Sequence, residues 1–170
     1  LIDNENKRTR IGLGLPKEIL QNRILIVDDH PVNLFLAKKL LVKFGFTDIE
    51  TVEDGQSALT KCAEEKFDLI VLDCQMPNMD GYEVSRILRQ REEGSGTHLP
   101  IVAMTANAMI GDKEKCFDAG MDDYVSKPID AQRFTEVLIK WLGDKTPSLP
   151  TAASITPPET NMNTIHTAPE

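Results

Sequence analysis

The chain has 170 residues, of which 41% are hydrophobic and 27% charged, and its formal net charge at pH 7 is −8. This composition excludes a collagen, a disulfide-dense scaffold and a wholly disordered chain. The acidic excess also argues against nonspecific nucleic-acid binding, because contacts to a phosphate backbone need clustered Lys and Arg. No apolar run approaches the roughly 18 residues of a membrane span. The three cysteines lack metal-like spacing, so we expect a reduced, cytoplasmic domain.

The prolines divide the chain into segments of different character. Five of the ten prolines lie at or after Pro147, among Thr, Ser, Ala and Asn residues that are poor core formers. We therefore expect residues 144–170 to be a flexible Pro/Thr-rich linker and residues 1–22 to be an N-terminal linker. Residues 23–143 remain as one domain, and its length of about 120 residues suits a single hydrophobic core.

Short apolar runs alternate with stretches of helical character along residues 23–143. Three β-branched runs, at 24–27, 69–72 and 100–104, are typical of strands buried on both faces of a parallel sheet. Weaker strand signals lie at 48–52 and 123–126. The helices between them are predicted at 31–44, 56–65, 81–92, 112–119 and 131–142. Five strand and helix repeats predict a doubly wound α/β domain, because parallel strands need crossover connections.

Residues at the predicted helix boundaries agree with this alternation. Pro31 suits the first position of a helix, and Gly45 suits the left-handed residue that ends it. Asp80 and Glu83 have the spacing of an N-cap residue and the third helical residue.

The first predicted helix, at 31–44, is too apolar for a helix that buries a single face. One stripe, which we predict to face the core, consists of Leu36, Ala37, Leu40 and Phe44. A second apolar stripe surrounds Lys38, and it consists of Leu34, Phe35, Leu41 and Val42. This second stripe is a candidate docking surface for a partner. A wide core face with stray surface aliphatic residues is an equally good interpretation.

All but one of the strand candidates end in a residue able to contact a phosphoryl group or a cation. These residues are Asp28, Asp29, Asp73, Thr105 and Lys127. In an open parallel sheet the carboxyl ends of the strands form one edge, where ligands bind, so we expect the five side chains to share a pocket. Helix capping is the alternative role for Asp28 and Asp29.

The predicted pocket is strongly acidic and needs positive charge. Two carboxylates 4 Å apart repel each other by up to about 4 kcal/mol at an effective dielectric constant of about 20. Lys127 supplies one positive charge, and Mg²⁺, which prefers oxygen ligands, would supply the rest. A carboxylate beside a metal, a lysine and a hydroxyl can attack phosphorus, because the cations neutralise the charge that spreads over the phosphoryl oxygens. We therefore predict that an aspartyl phosphate forms here.

Four motifs in this order resemble the receiver domain of two-component phosphorelay signalling, also called the response-regulator domain. They are Ile-Leu-Ile-Val followed by Asp28 and Asp29, the run from Leu72 to Gly81, Thr105-Ala-Asn-Ala, and Lys127-Pro128. The stretch from Thr105 to Ile129 is most similar to receivers of hybrid sensor histidine kinases. The resemblance covers about residues 22–142. It implies a flavodoxin-like fold, with five helices and a five-stranded parallel sheet of order 2-1-3-4-5.

The resemblance assigns chemical roles to the matching positions. Asp73 would be the phosphoacceptor, and Thr105 and Lys127 would contact the phosphoryl group. Mg²⁺ would be held by Asp29, by Asp73 and by the backbone carbonyl of Gln75, with Asp28 acting through a bound water.

The resemblance also implies a conformational switch. Tyr124 would move inward as Thr105 closes on the phosphoryl group, and the phosphoryl group would thereby shift a pre-existing population. A cis peptide between Lys127 and Pro128 is expected from the family as well.

These motifs predict a signalling module that takes a phosphoryl group from a phosphohistidine and either relays it or switches a docking surface. Such a module catalyses only its own phosphorylation and dephosphorylation, within a parent chain that would be a hybrid histidine kinase. Its partner would be a kinase phosphotransfer domain or a histidine phosphotransfer protein, with no nucleic acid and no membrane contact by this fragment. The sequence leaves open whether the parent is membrane-anchored.

Two other functions remain as alternatives. A metal-dependent phosphohydrolase would also form an aspartyl phosphate, but such enzymes typically place an acidic residue two positions after the nucleophile, where this chain has Gln75. A receiver-like interaction module that needs no phosphate is disfavoured because all five site residues are present.

Overall fold

The computed structural model describes residues 14–107 and 109–143, which contain five strands and six helices. The strands are β1 (Ile24–Val27), β2 (Ile49–Val52), β3 (Leu69–Asp73), β4 (Ile101–Thr105) and β5 (Asp123–Ser126). The helices are α1 (Lys17–Leu20), α2 (Pro31–Phe44), α3 (Gly55–Glu64), α4 (Gly81–Glu92), α5 (Ile110–Asp118) and α6 (Ala131–Leu142). The predicted alternation of strands and helices is therefore confirmed.

All five strands are parallel, and their order in the sheet is β2-β1-β3-β4-β5. Every residue of β1, β3 and β4 is buried, as the uninterrupted apolar runs predicted. One core cluster packs α1, α2 and α6 against one face of the sheet, and a second packs α3, α4 and α5 against the other. The chain thus has the predicted doubly wound, flavodoxin-like fold.

The structure contains a short helix, α1, that the sequence did not predict. Ile19 is only 3% exposed and belongs to the core cluster shared with α2 and α6. The side-chain amide of Asn22 donates a hydrogen bond of 2.8 Å to the Ile19 carbonyl and so closes the helix. The described part of the expected linker 1–22 is therefore packed against the domain. A four-residue helix is too short to show a 3.6-residue period. The expected linker 144–170 lies outside the described residues.

The orientation of α2 corrects the predicted assignment of its two stripes. Leu34, Ala37 and Leu41 face the core, and the exposed fractions of Leu34 and Leu41 are 7% and 0%. Leu36, which we had assigned to the core, is 56% exposed. The assignment was wrong for Leu34, Leu36 and Leu41, because both stripes are apolar and only contact with the sheet decides which one is covered. Ala37 is buried, and Leu40 and Phe44 are partly buried against the same core, as predicted.

The outer face of α2 is nevertheless apolar. Phe35 is 63% exposed and Val42 is 56% exposed, and both lie beside the exposed Lys38 as predicted. Together with Val32 and Leu36 they form a surface that we call the α2 outer face.

Predicted boundary residues occupy the expected positions. Pro31 opens α2, and Gly45 ends it with a φ of 108°. The carboxylate of Asp80 accepts a hydrogen bond of 2.8 Å from the backbone N–H of Glu83 and so caps α4. None of the described helices is long and apolar enough to cross a membrane.

Candidate functional site

Three carboxylates meet at the carboxyl edge of the sheet, where β1 and β3 end. Asp28 and Asp73 are buried and Asp29 is exposed, and one carboxylate oxygen from each lies within 4.8 Å of the others. Asp28 Oδ1 accepts hydrogen bonds from the backbone N–H of His30 (2.8 Å) and from Asn33 Nδ2 (3.2 Å). The structure therefore brings together the three acidic residues that the strand-end pattern singled out.

Lys127, which follows β5, supplies a positive charge to the acidic cluster. Its Nζ lies 2.7 Å from Asp28 Oδ2 and 2.9 Å from Asp73 Oδ1. Burial lowers the pKa of Lys127, but its contacts with Asp28 and Asp73 outweigh burial and raise that pKa overall. The lysine therefore stays protonated between the two carboxylates. Its backbone also joins the site edge, because its N–H donates a hydrogen bond of 2.8 Å to the Thr105 carbonyl.

The environment of the Asp73 carboxyl group raises its pKa above the ordinary value. Burial raises its pKa, the neighbouring charge of Asp28 raises it further, and Lys127 and the backbone N–H of Gln75 offset this only in part. A carboxylate costs free energy when it is buried, so a group placed in this way is a functional candidate. Both hydrogen-bonding contacts are to Oδ1, and Oδ2 accepts no hydrogen bond from the part of the chain that the structure describes.

Thr105 lies at the end of β4 and is buried. Its hydroxyl donates a hydrogen bond of 2.9 Å to the Asn107 carbonyl and accepts one of 3.2 Å from the Asn107 N–H. The side chain is thus bound to its own loop. Tyr124 lies on the neighbouring strand, and the peptide between Lys127 and Pro128 is cis, as expected.

Gly81 allows the start of α4 to lie close to the backbone of Asp73 and Cys74. Its N–H donates a hydrogen bond of 3.1 Å to the Cys74 carbonyl. A β-carbon at residue 81 would overlap the carbonyl oxygen of Asp73 and lie 3.0 Å from the Cys74 α-carbon. Only glycine lets the first turn of α4 approach the Asp73 backbone so closely.

The cysteine beside Asp73 points into the core. Cys74 Sγ lies 3.7 Å from Cys116 Sγ, and both side chains are buried. The contact with Cys116 and burial raise the pKa of Cys74, so its thiol is neutral and a poor nucleophile.

Sequence reasoning missed Asn33, which binds Asp28, and Asp123, which is a buried ion-pair centre at the start of β5. Asn33 lies five residues after Asp28, on the first turn of the following helix. That position could have indicated a contact with the Asp28 carboxylate. The sequence around Asp123 contains no comparable indication, because its side-chain partners lie on α6.

The oxygen atoms of the acidic cluster are suitable ligands for a divalent cation. Three carboxylates within reach of one another offer the oxygen ligands that Mg²⁺ prefers, and Lys127 neutralises only part of their charge. A doubly wound domain with carboxylates, a lysine and a hydroxyl at its carboxyl edge belongs to the class of proteins suited to phosphoryl chemistry.

The comparisons with known proteins name that class. The family model of the response regulator receiver domain matches residues 24–139. The chain belongs to this family and is a phosphoacceptor signalling module of two-component systems.

Relatives with similar sequences include a sensor protein and a hybrid signal transduction histidine kinase. The chain is 40% identical over 138 residues to the sensor protein GacS of Pseudomonas syringae pv. syringae, a match that covers 81% of this chain and 15% of that protein. It is 41% identical over 126 residues to hybrid signal transduction histidine kinase I of Dictyostelium discoideum, which covers 71% of this chain and 7% of that protein. The chain thus spans only a small part of these curated relatives.

A solved structure with a similar fold is the receiver domain of a sensor histidine kinase from Pseudomonas aeruginosa, described with a magnesium ion coordinated in its active site cleft. It is 37% identical to this chain with a TM-score of 0.64, and the match covers 72% of this chain and 98% of that one.

Proposed function

We propose that Asp73 accepts a phosphoryl group from a phosphohistidine. The observation that carries this proposal is the position of the Lys127 ammonium, 2.9 Å from Asp73 and 2.7 Å from Asp28, at the edge where three carboxylates meet. In the transfer, Asp73 forms a P–O bond as the P–N bond to the histidine breaks, and the histidine nitrogen leaves with the electron pair of that bond. The attacking oxygen is Asp73 Oδ2, since Oδ1 already binds Lys127 and the Gln75 N–H.

Lys127 and Thr105 stabilise the transferred group. The ammonium of Lys127 pairs with the phosphoryl oxygens, and it is held in place beforehand by Asp28. The Thr105 hydroxyl leaves Asn107 and donates to a phosphoryl oxygen instead. Tyr124 turns inward with this movement, so phosphorylation selects one of two states of the β4–α5 region.

Asp29, Asp73 and the backbone carbonyl of Gln75 would hold Mg²⁺, with Asp28 acting through a bound water. When bound, the cation neutralises charge on the phosphoryl oxygens. The acidic cluster and the oxygen chemistry of its donors support this assignment.

We propose that the chain is the receiver of a hybrid histidine kinase and works in the cytoplasm. Its partner would be a histidine phosphotransfer protein or a kinase phosphotransfer domain. The receiver domain of the yeast response regulator Ssk1, solved in complex with the histidine phosphotransfer signaling protein Ypd1, is 28% identical to this chain with a TM-score of 0.65, covering 72% of this chain and 89% of that one.

The partner would dock on the α2 outer face. The corrected set of contact residues replaces the buried Leu34 and Leu41 by the exposed Val32 and Leu36, and it keeps Phe35, Lys38 and Val42. The face lies next to the site, because a cavity of about 280 Å³ is lined by Leu36 and Leu40 on α2 and by Lys127 and Pro128 after β5.

Phosphorylation by acetyl phosphate in the presence of Mg²⁺ tests the proposal. Intact-mass measurement should show the gain of one phosphoryl group on the wild type and none on Asp73→Asn. Asp118→Asn, which changes an exposed carboxylate on α5, is the matched control and should be labelled like the wild type. Labelling of Asp73→Asn, or turnover of simple phosphomonoesters by the wild type, would contradict the proposal.

A further inference from the structure

Two cations flank the ring of Tyr124. Lys113 Nζ lies 4.8 Å from the ring centroid, and Arg133 Cζ lies 5.6 Å from it. Lys113 belongs to α5 and Arg133 to α6, so the ring is held from two helices at once. Each distance is within the range of a cation–π attraction.

One buried carboxylate fixes the second cation relative to the ring. Asp123 Oδ1 accepts hydrogen bonds from the backbone N–H of Tyr124 (2.9 Å) and from Arg133 Nη2 (2.7 Å). Its other oxygen accepts from Lys140 and from Trp141 Nε1. The Asp123 side chain is 5% exposed, so its charge is desolvated and its partners are firmly held.

The sheet register relates the position of Tyr124 to that of Thr105. Tyr124 pairs with Ala103, and Ser126 pairs with Thr105. Since alternate residues of a strand share a face, Tyr124 and Thr105 lie on the same face of the sheet, and the side chain between them on β4 is only the methyl group of Ala103. On β4, no side chain larger than a methyl group therefore separates the position of Tyr124 from Thr105.

We propose that Lys113 and Arg133, the latter anchored by Asp123, form a cationic clasp that holds the half-buried ring of Tyr124 against α5 and α6 and so sets how readily the site closes. This inference rests on the proposed function, because Lys113 and Arg133 would act on the phosphorylated state only through the position of Tyr124. They are positioning residues in this sense. Loss of one cation should raise the population of the closed state about two- to five-fold.

The test uses Lys113→Gln, Arg133→Gln and the double variant, with Lys115→Gln as the matched control, since Lys115 is on the same helix and 69% exposed. The chain has two tyrosines, so selective ¹³C labelling resolves the ring signal of Tyr124. In the double variant without ligand, this signal should move part of the way toward its position in the wild type bound to Mg²⁺ and beryllofluoride. The apparent affinity for beryllofluoride should rise about five- to twenty-fold.

Arg133→Lys keeps a positive charge beside Asp123, so its Tyr124 signal and its beryllofluoride affinity should stay close to those of the wild type. This variant distinguishes loss of the clasp from loss of folding. An unmoved Tyr124 signal in the double variant, or an unchanged beryllofluoride affinity, would overturn the clasp. If the wild type itself bound no beryllofluoride, the proposed function would fail. The clasp would then be tested by comparing the Tyr124 signals of the unliganded double variant and the unliganded wild type, and identical signals would overturn it.

Discussion

Lys127 Nζ lies 2.7 Å from Oδ2 of Asp28, a side chain with no solvent exposure. Since the same ammonium also contacts Asp73, one cation is shared by two buried carboxylates and offsets part of their charge. Lys127→Met should therefore lower the free energy of unfolding by about 3 kcal/mol in the absence of Mg²⁺, because a buried charge left without its partner is costly. Mg²⁺ should restore more stability to this variant than to the wild type.

Urea unfolding with and without Mg²⁺ measures both effects. Lys115→Met removes an exposed lysine 4.0 Å from Asp112 and should change stability by less than about 0.5 kcal/mol. Equal responses of the wild type and Lys127→Met to Mg²⁺ would show that the lysine and the cation do not share the acidic cluster.

Gly81 and Gly111 offer a matched pair of helical glycines. Gly81→Ala should cost about 3 kcal/mol, since the added methyl group meets the backbone of Asp73 and Cys74, which cannot rotate away. A β-carbon at residue 111 would meet no heavy atom of the described residues within 4 Å, so Gly111→Ala should raise stability by about 0.5–1 kcal/mol. Thermal unfolding and the rate of labelling by acetyl phosphate test the pair, and a stable, fully active Gly81→Ala would refute the close approach.

Leu41 and Val42 are neighbours on α2 with opposite surroundings, since Leu41 is fully buried and Val42 is 56% exposed. Leu41→Ala should cost about 2–5 kcal/mol by creating a cavity. Val42→Asp should leave folding nearly unchanged, slow phosphotransfer from a phosphohistidine protein, and leave labelling by acetyl phosphate at the wild-type rate. Slowing of both reactions by Val42→Asp would argue against docking on the α2 outer face.

Asp123 should make stability depend on pH. Burial raises its pKa, but hydrogen bonds from Trp141, Tyr124 and Lys140 and the charge of Arg133 outweigh burial and lower it below the ordinary value of 3.8. The unfolded state then binds the proton more tightly, so the stabilisation is complete well above pH 3.8 and is lost as the pH falls through the folded pKa.

Asp123→Asn should cost about 1–3 kcal/mol at pH 7, and the difference from the wild type should shrink as the pH falls below about 4. Unfolding free energies measured from pH 7 to pH 3 check this. Asp118→Asn, an exposed control, should follow the wild-type profile. A difference that stayed constant with pH would mean that the Asp123 charge contributes nothing.

The sequence was sufficient for the sheet and for the acidic edge. Uninterrupted apolar runs identify buried strands, and parallel strands bring Asp28, Asp73 and Lys127 to one edge whatever the details of packing. The contacts at that edge follow from topology, which is why strand ends alone were enough.

Other features depend on contacts between distant elements and could not be predicted in this way. The orientation of α2 is set by the sheet, since both of its stripes are apolar. The side-chain partners of Asp123 lie on α6, at sequence separations of 10 to 18 residues, and no local pattern marks them. The clasp on Tyr124 likewise joins two helices.

The packing of α1 against α6 has a consequence for movement of the domain. Helix α1 leads into the amino end of β1, and α6 runs back from the site edge, so the contact of Ile19 with the region of Gly143 places both near the opposite edge. Ile19 and Gly143, near the two ends of the described residues, thus lie on the side remote from Asp73. A partner that contacts the edge with Asp73 would therefore leave both of these ends uncovered.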